Sequence, residues 1–357
     1  MHTCDNQFGF KSEHSTDLCI YTLRELIDFY KKRNTTVFVT FLDASKAFDR
    51  IDHWLLFDKL LARKIPLFII RIFIFWYSQQ SMCIRWGNTL SASFKVTNGV
   101  KQGGILSPTL FNVYMDNLSI LLNSSNIGGR IGDQLINHLC YADDLCLISL
   151  SSAGMQQLLH ICNQYAADHH LLYNGLKSFS MCFKPKSIKF KQPEFYLENR
   201  IIPSVTQCKY LGIMIDVKNC DIDMKRQMRK LYANANLLLR KFSKCSVEMK
   251  CFLFKTYCSN IYCGPLWYNS TKTATKRLKI DYNNSLMRLL GIPTYCSASE
   301  MFVCLNIRSF DEMLRKYVLS FKSRIIASKN SLLICILNSS ITLFSSIWAW
   351  WSSILMH

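Results

Sequence analysis

Acidic charge is scarce in this 357-residue chain: 24 Asp and Glu stand against 43 Lys and Arg, for a formal net charge of +19. A basic excess of that size points to a polyanionic partner, of which nucleic acid is the commonest, since solubility alone is more usually secured with acidic charge. Also missing, among 16 Cys, is any paired CxxC with a His partner, so no zinc site is expected. The thiols are scattered through apolar runs, as at Cys140, Cys146 and Cys182, which suits a reducing intracellular compartment, nucleus or cytoplasm. Cys258 and Cys263 read as core thiols. The opening Met1-His2-Thr3-Cys4-Asp5-Asn6 has neither a basic region nor an apolar core, so no secretory signal is expected there. Long uncharged apolar runs are few. Leu67 to Tyr77 is too short for a membrane span and carries Arg71, so a buried helix is expected. Ser331 to Met356 lacks charge and holds Trp348, Trp350 and Trp351, but serines and Asn338 interrupt it. It reads as a buried helix, or as a surface that needs a partner protein or a missing domain, with no membrane expected. Half the residues are apolar, so the chain is globular.

What is present gathers around carboxylates. In Leu139-Cys140-Tyr141-Ala142-Asp143-Asp144-Leu145-Cys146-Leu147-Ile148, apolar residues run up to two adjacent acids and away again, the pattern of a strand, a tight turn and a second strand. Two such acids repel each other and have no cheap place in a core. A solvated hairpin tip is the plain reading. The apolar flanks favour a site where a divalent cation neutralises the pair. A second acid fits that picture: the strand-like Thr36 to Leu42 ends on Asp43. Hard cations such as Mg²⁺ take carboxylate oxygens, and two of them can clamp the attacking and leaving oxygens of a phosphoryl transfer. A third element, Asn98 to Pro108, contains paired glycines that let backbone approach a ligand, with Ser107 expected as N-cap and Pro108 at the first helical position. By itself that stretch also fits an ordinary loop.

Taken together and in order, Phe41-Leu42-Asp43-Ala44-Ser45-Lys46-Ala47-Phe48-Asp49, the Gly99 to Pro108 stretch and Tyr141-Ala142-Asp143-Asp144 resemble the reverse transcriptase of non-LTR (LINE-type) retrotransposons. Gln7-Phe8-Gly9-Phe10-Lys11 with His14-Ser15-Thr16 resembles the segment ahead of the family's first catalytic Asp. Asn174-Gly175-Leu176-Lys177-Ser178 resembles its later palm motif, and Lys209-Tyr210-Leu211-Gly212-Ile213 its primer-grip region. The resemblance is dense over about 7 to 215 and looser to about 320.

It implies an α+β right-hand polymerase with an antiparallel-sheet palm, partial fingers and a helical thumb, synthesising DNA from dNTPs on a DNA primer and an RNA template. Asp43, Asp143 and Asp144 would be catalytic and would hold two Mg²⁺ ions (Mn²⁺ being the alternative), with the Ala44 carbonyl as an extra ligand. Phe48 would exclude a 2′-hydroxyl. Gln102 and Gly103 would lie against the incoming nucleotide, and Lys177 would bind or protonate pyrophosphate. Tyr141, Leu211, Gly212, Lys225 and Arg229 would touch primer or template. For some there is a plainer reading: Phe48 as a core aromatic, Gln102 as a solvated amide, the cations as a solvated helix face.

The organisation expected is fingers and palm over 1–215, a helical thumb over 216–265 and a helical extension over 266–357. Asp52 to Leu61 and Ser152 to His170 read as helices, Met82 to Val96 as a hairpin with a Gly87-Asn88 turn, and Lys184 to Lys191 as a basic connection. Asp221 and Asp223 open a further helix whose later residues are basic, matching its dipole. The family normally carries larger fingers and often an endonuclease upstream, so incomplete fingers are expected. Two other classes remain: a catalytically silent remnant that only binds nucleic acid, and a membrane-attached protein judged on the last stretch alone.

Overall fold

The computed structural model describes residues 3–185, 187–188, 192–339 and 341–356. Val37-Phe38-Val39-Thr40-Phe41-Leu42 is built of β-branched and aromatic residues and is buried along its whole length, as a central strand requires. It lies between Phe179–Phe183 and Asp144–Ser149, and His138–Tyr141 pairs with the outer edge of the latter, giving a four-stranded antiparallel sheet. The register sets Val39 opposite Met181 on one side and Ile148 on the other, and Leu42 opposite Leu145. One face of this sheet shares an apolar core with the helices Ser107–Ser124 and Ser152–Asp168, where Phe38, Leu42, Leu145 and Leu147 meet Phe111, Leu158 and Leu159. The helix–sheet layering is the expected α+β palm.

The chain divides into two compact units, Met1–Val205 with Asn330–Cys335, and Thr206–Lys329 with Ile336–His357. In the first, Ser15 stands at the N-cap of the helix Thr16–Lys32, its hydroxyl donating to the Asp17 carboxylate. Asp52 caps His53–Ala62 by accepting from the Leu55 N–H at 3.0 Å. Arg85–Trp86 and Thr89–Leu90 form the small hairpin about Gly87, whose φ is +61°. Two expectations need correcting. The helix Leu67–Ser78 is not buried: only Ile70 and Tyr77 are, while Phe68, Ile72, Phe75 and Trp76 face outward, because the helix packs along one edge only. Ser107 is the first residue of its helix and not its cap; its hydroxyl donates to the Lys101 carbonyl at 2.5 Å and closes the preceding glycine loop. Of the basic connection, Lys186, Lys189 and Lys191 lie outside the described residues.

In the second unit the hairpin Gln207–Tyr210/Ile213–Asp216 precedes the helix Asp221–Phe242. One apolar core joins that helix to those that follow it: Met224, Leu231 and Leu238 pack with Phe254, Trp267, Tyr282, Leu286, Phe302 and Phe310. Buried Asp223 ties the pieces together, accepting from the Trp267 Nε1–H and the Met214 N–H at 3.0 Å each, and pairing with Arg226. The uncharged last stretch forms three short helices, Ser331–Asn338, Ile341–Phe344 and Ser346–Met356. Its beginning belongs to the first unit, where Asn330 Nδ2 donates to Asp5 O at 2.8 Å. Its end belongs to the second, where the Trp351 indole donates to Pro265 O at 2.7 Å. Among the described residues no helix is long and apolar enough to cross a membrane. None of the 16 cysteines, all of them among the described residues, is in a disulfide.

Candidate active site

Strand register brings the three carboxylates to one edge of the sheet. Leu42 and Leu145 form the last pair between the two central strands, so Asp43 and Asp144 are the next residues outward on each. Because side chains alternate along a strand, Asp144 turns to the face opposite Leu145 and the helices. Tyr141 pairs with Asp144 across a two-residue turn, Ala142-Asp143, and Ala142 takes a left-handed φ of +56°. Asp43 and Asp143 are half-buried, and Asp144 is exposed.

The electrostatics are those of unneutralised acids held together. Burial around its carboxyl, then the charges of Asp143 and Asp43, pushes Asp144 up to about 6 although the residue as a whole is exposed. Asp143 is raised as well, first by burial and then by Asp43, against a lowering by its own backbone N–H. Among the described residues, no ion pair involves any of the three. As a donor set they suit a hard divalent cation: anionic oxygens, crowded, with no basic side chain to quench them. As they stand they do not converge on one point, for no three acid, imidazole or thiol groups among the described residues gather at ligand distance.

Backbone bonds bring the other expected elements to Asp43. Its carbonyl accepts from Asn174 N–H at 2.8 Å, and its N–H donates to Ser178 Oγ at 3.2 Å, so the Asn174–Ser178 turn is fastened to it at both ends. Lys177 is exposed on that turn. Ala44 bridges to Tyr173, flanked by Ser45 N–H to Leu172 O, and that pairing leaves the Ala44 carbonyl unused. The glycine loop is laid against the segment after Asp43, with Gly99 N–H to Ile51 O at 2.7 Å and Val100 N–H to Phe48 O at 2.9 Å. Gly99 has a φ of +88°, and a Cβ there would meet Asp49 Cα at 2.9 Å; only glycine allows that approach. Gln102 is exposed and donates to Asp49 Oδ1 at 3.3 Å. Gly103 has a φ of +79° and open space beside it. Phe48 stacks on Phe111 with ring centroids 4.4 Å apart, and exposed Phe10 meets it edge-on at 6.2 Å.

The remaining expected contacts fall in the second unit. Leu211 and Gly212 form its hairpin turn with φ of +42° and +81°, and Tyr262 donates its hydroxyl to Leu211 O at 2.8 Å. Lys225 and Arg229 lie one turn apart and exposed on the helix Asp221–Phe242. Tyr141, in the first unit, is half-buried beside the acids. Sequence reasoning missed Gln7 and Ser178 as supports of the site. Both stand within motifs it had quoted, but hydrogen bonds across more than 130 residues leave no trace in local pattern.

Residues 1–215 match the family described as reverse transcriptase (RNA-dependent DNA polymerase). The chain belongs to the reverse transcriptase family. Its relatives are non-LTR retrotransposon proteins. The Pol polyprotein of the type-2 retrotransposable element R2DM from Drosophila melanogaster is 32% identical over 189 residues, 51% of this chain and 18% of that protein. The probable RNA-directed DNA polymerase from transposon BS of the same species is 23% identical over 337 residues, 90% of this chain and 36% of that protein. This reverse transcriptase chain therefore spans about a fifth to about a third of those relatives. Among solved structures, telomerase from Candida Tropicalis in complex with a fragment of telomeric RNA is similar over 98% of this chain and 53% of that one, at 14% identity and a TM-score of 0.47.

Proposed function

We propose that this chain is an RNA-directed DNA polymerase that extends a DNA primer on an RNA template by two-metal nucleotidyl transfer. The carrying observation is that strand register sets Asp43, Asp143 and Asp144 at neighbouring strand ends, with raised pKa values at Asp143 and Asp144 and, among the described residues, no ion pair to any of the three. Asp43, Asp143 and Asp144 would hold two Mg²⁺ ions, with Mn²⁺ as substitute and the Ala44 carbonyl as an added ligand. When bound, the ions supply charge that favours the deprotonated primer 3′-hydroxyl and the departing pyrophosphate.

The chain's own residues do the rest. The Asn174–Ser178 turn and the flanking strand hold the Asp43 backbone, so only its side chain has to turn to meet a metal and the primer hydroxyl. Phe48, wedged by Phe111, presents a flat wall beneath the sugar and leaves no room for a 2′-oxygen. Gly103 offers a side-chain-free approach to the nucleotide, and Gln102 reaches in beside it. Lys177, exposed on the turn, is placed to meet pyrophosphate charge. In the second unit, Leu211 and Gly212 shape a primer-contacting turn, while Lys225 and Arg229 lay positive charge along the duplex backbone. That unit acts as thumb and extension on one shared core.

The test is primer extension on oligo(dT)–poly(rA) with Mg²⁺, beside Asp143→Asn. Extension by the parent and none by the variant supports the reading. Salt-sensitive duplex binding by both with extension by neither sinks it and leaves a silent nucleic-acid binder.

A further inference from the structure

Gln7 is buried, 4% exposed, and spends both ends of its amide on one residue of the acidic turn. Its Oε1 accepts from Ala142 N–H at 2.9 Å and from Gly9 N–H at 2.8 Å, and its Nε2 donates to Ala142 O at 3.2 Å. The backbone beneath is fastened too: Gln7 and Cys140 form a parallel bridge, with Phe8 N–H to Cys140 O at 2.7 Å and Cys140 N–H to Asn6 O at 2.8 Å. Ala142 needs such a hold. Its φ of +56° is one that a residue with a Cβ leaves readily. Gly9 closes the contact from the other side, where a Cβ would come to 2.3 Å from Ala142 N.

We propose that Gln7 is a positioning residue for the metal-binding carboxylates: its amide clamps Ala142 in the left-handed conformation and so fixes where Asp143 and Asp144 project. It touches no reacting atom. The inference rests on the polymerase reading for its purpose, though the clamp itself is a matter of geometry. An ordinary structural role would make Gln7→Ala less stable overall. A clamp makes a narrower demand, that the turn loosen while the sheet behind it holds and that metal binding weaken.

The experiment uses the full chain as parent, Gln7→Ala, Gln7→Glu and Asp143→Asn. Amide hydrogen exchange is read over peptides spanning 139–146 and, as the internal reference, the central strand 37–42. Mn²⁺ binding is read by electron paramagnetic resonance. In Gln7→Ala, exchange at Ala142 should speed at least tenfold with 37–42 unchanged, and half-saturation by Mn²⁺ should rise about tenfold, the scale on which outer partners of ligands act. Gln7→Glu keeps an acceptor for Ala142 N–H and loses the donor to its carbonyl, so its exchange should fall between parent and Ala. Unchanged exchange at Ala142, acceleration spread equally over both peptides, or unchanged Mn²⁺ binding overturns the proposal. Should Gln7→Ala fail to fold, Gln7→Glu decides by the same readouts, with parent-like exchange and metal binding counting against the clamp. A parent that extends no primer would refute the polymerase reading, while exchange and Mn²⁺ binding still judge the clamp.

Discussion

Replacing Asp144 by Asn should stabilise the metal-free chain at alkaline pH and cost it the stabilisation that Mg²⁺ brings. The carboxyl is lifted from an ordinary 3.8 to about 6 by burial and by its acidic neighbours. The folded chain thus holds this proton more tightly than the unfolded one, so the contribution to stability is full below about pH 4 and lost as pH rises through about 6. At about 1.36 kcal/mol for each tenfold change in acidity, the interval corresponds to roughly 3 kcal/mol. Asp144 is exposed, and solvent screening brings that to about 1 kcal/mol. In a unit of this size, such a difference moves Tm by about 2–4 °C. Thermal melts from pH 4 to 9, read as parent against Asp144→Asn, should show the variant ahead at pH 8 and level near pH 4. Adding Mg²⁺ should reverse the order at pH 8, because ion binding to the folded parent adds RT ln(1 + [L]/Kd). A variant that is less stable than the parent at pH 8 without metal, or a gain that does not change with pH, would refute the idea that these carboxylates are crowded and unneutralised.

Other outcomes follow from single contacts. Phe48→Ala should raise ribonucleotide use relative to deoxyribonucleotide by about 10- to 100-fold in kcat/KM, the range in which one added group is rejected by shape; steady-state incorporation of each sugar type measures it. Gly9→Ala should destabilise the first unit by about 1–3 kcal/mol in urea melts, since its Cβ has Ala142 N at 2.3 Å and backbone must move. Asp223→Ala should cost the second unit about 3 kcal/mol by the same assay, because it strands the Trp267 and Met214 N–H groups in a buried place. Lys225→Ala and Arg229→Ala should each lower the log–log salt slope of duplex binding by roughly 1, with little change in sequence preference; equal slopes would show that this helix face does not meet phosphate.

The sheet and its acids were legible because their signals are local. A fully buried strand reads as a nearly continuous apolar run, so Val37–Leu42, broken only by Thr40, announced itself, and paired acids inside such runs have few explanations. Helices with caps and periodic apolar faces, Ser152–Asp168 among them, were legible for the same reason. Leu67–Ser78 was misread because apolar composition tells that a helix is able to be buried, not that a neighbour arrives to bury it. Ser107 was misread because its hydroxyl has a tertiary task, closing the glycine loop through Lys101, and that competes with capping. The clamp by Gln7 was illegible altogether: the two residues it joins are 135 positions apart.

That last case bears on how such a site tolerates its own repulsion. Asp43, Asp143 and Asp144 push one another apart, and a flexible edge would simply splay to relieve them. Here each has its backbone held: Asp43 by the distant Asn174 and Ser178, the Asp143 turn by the distant Gln7, and Asp144 by pairing with Tyr141 within its own hairpin. Their repulsion therefore adds to burial in raising Asp144. A cation entering such a site would meet a backbone whose ordering entropy was spent during folding, and it would gain by neutralising repulsion between the acids. On this argument, loosening any one of the three anchors should lower the Asp144 pKa by the share that Asp143 and Asp43 contribute, leaving the larger share that burial contributes, an effect that carboxyl titration by NMR would detect at Gln7→Ala as readily as at Ser178→Ala.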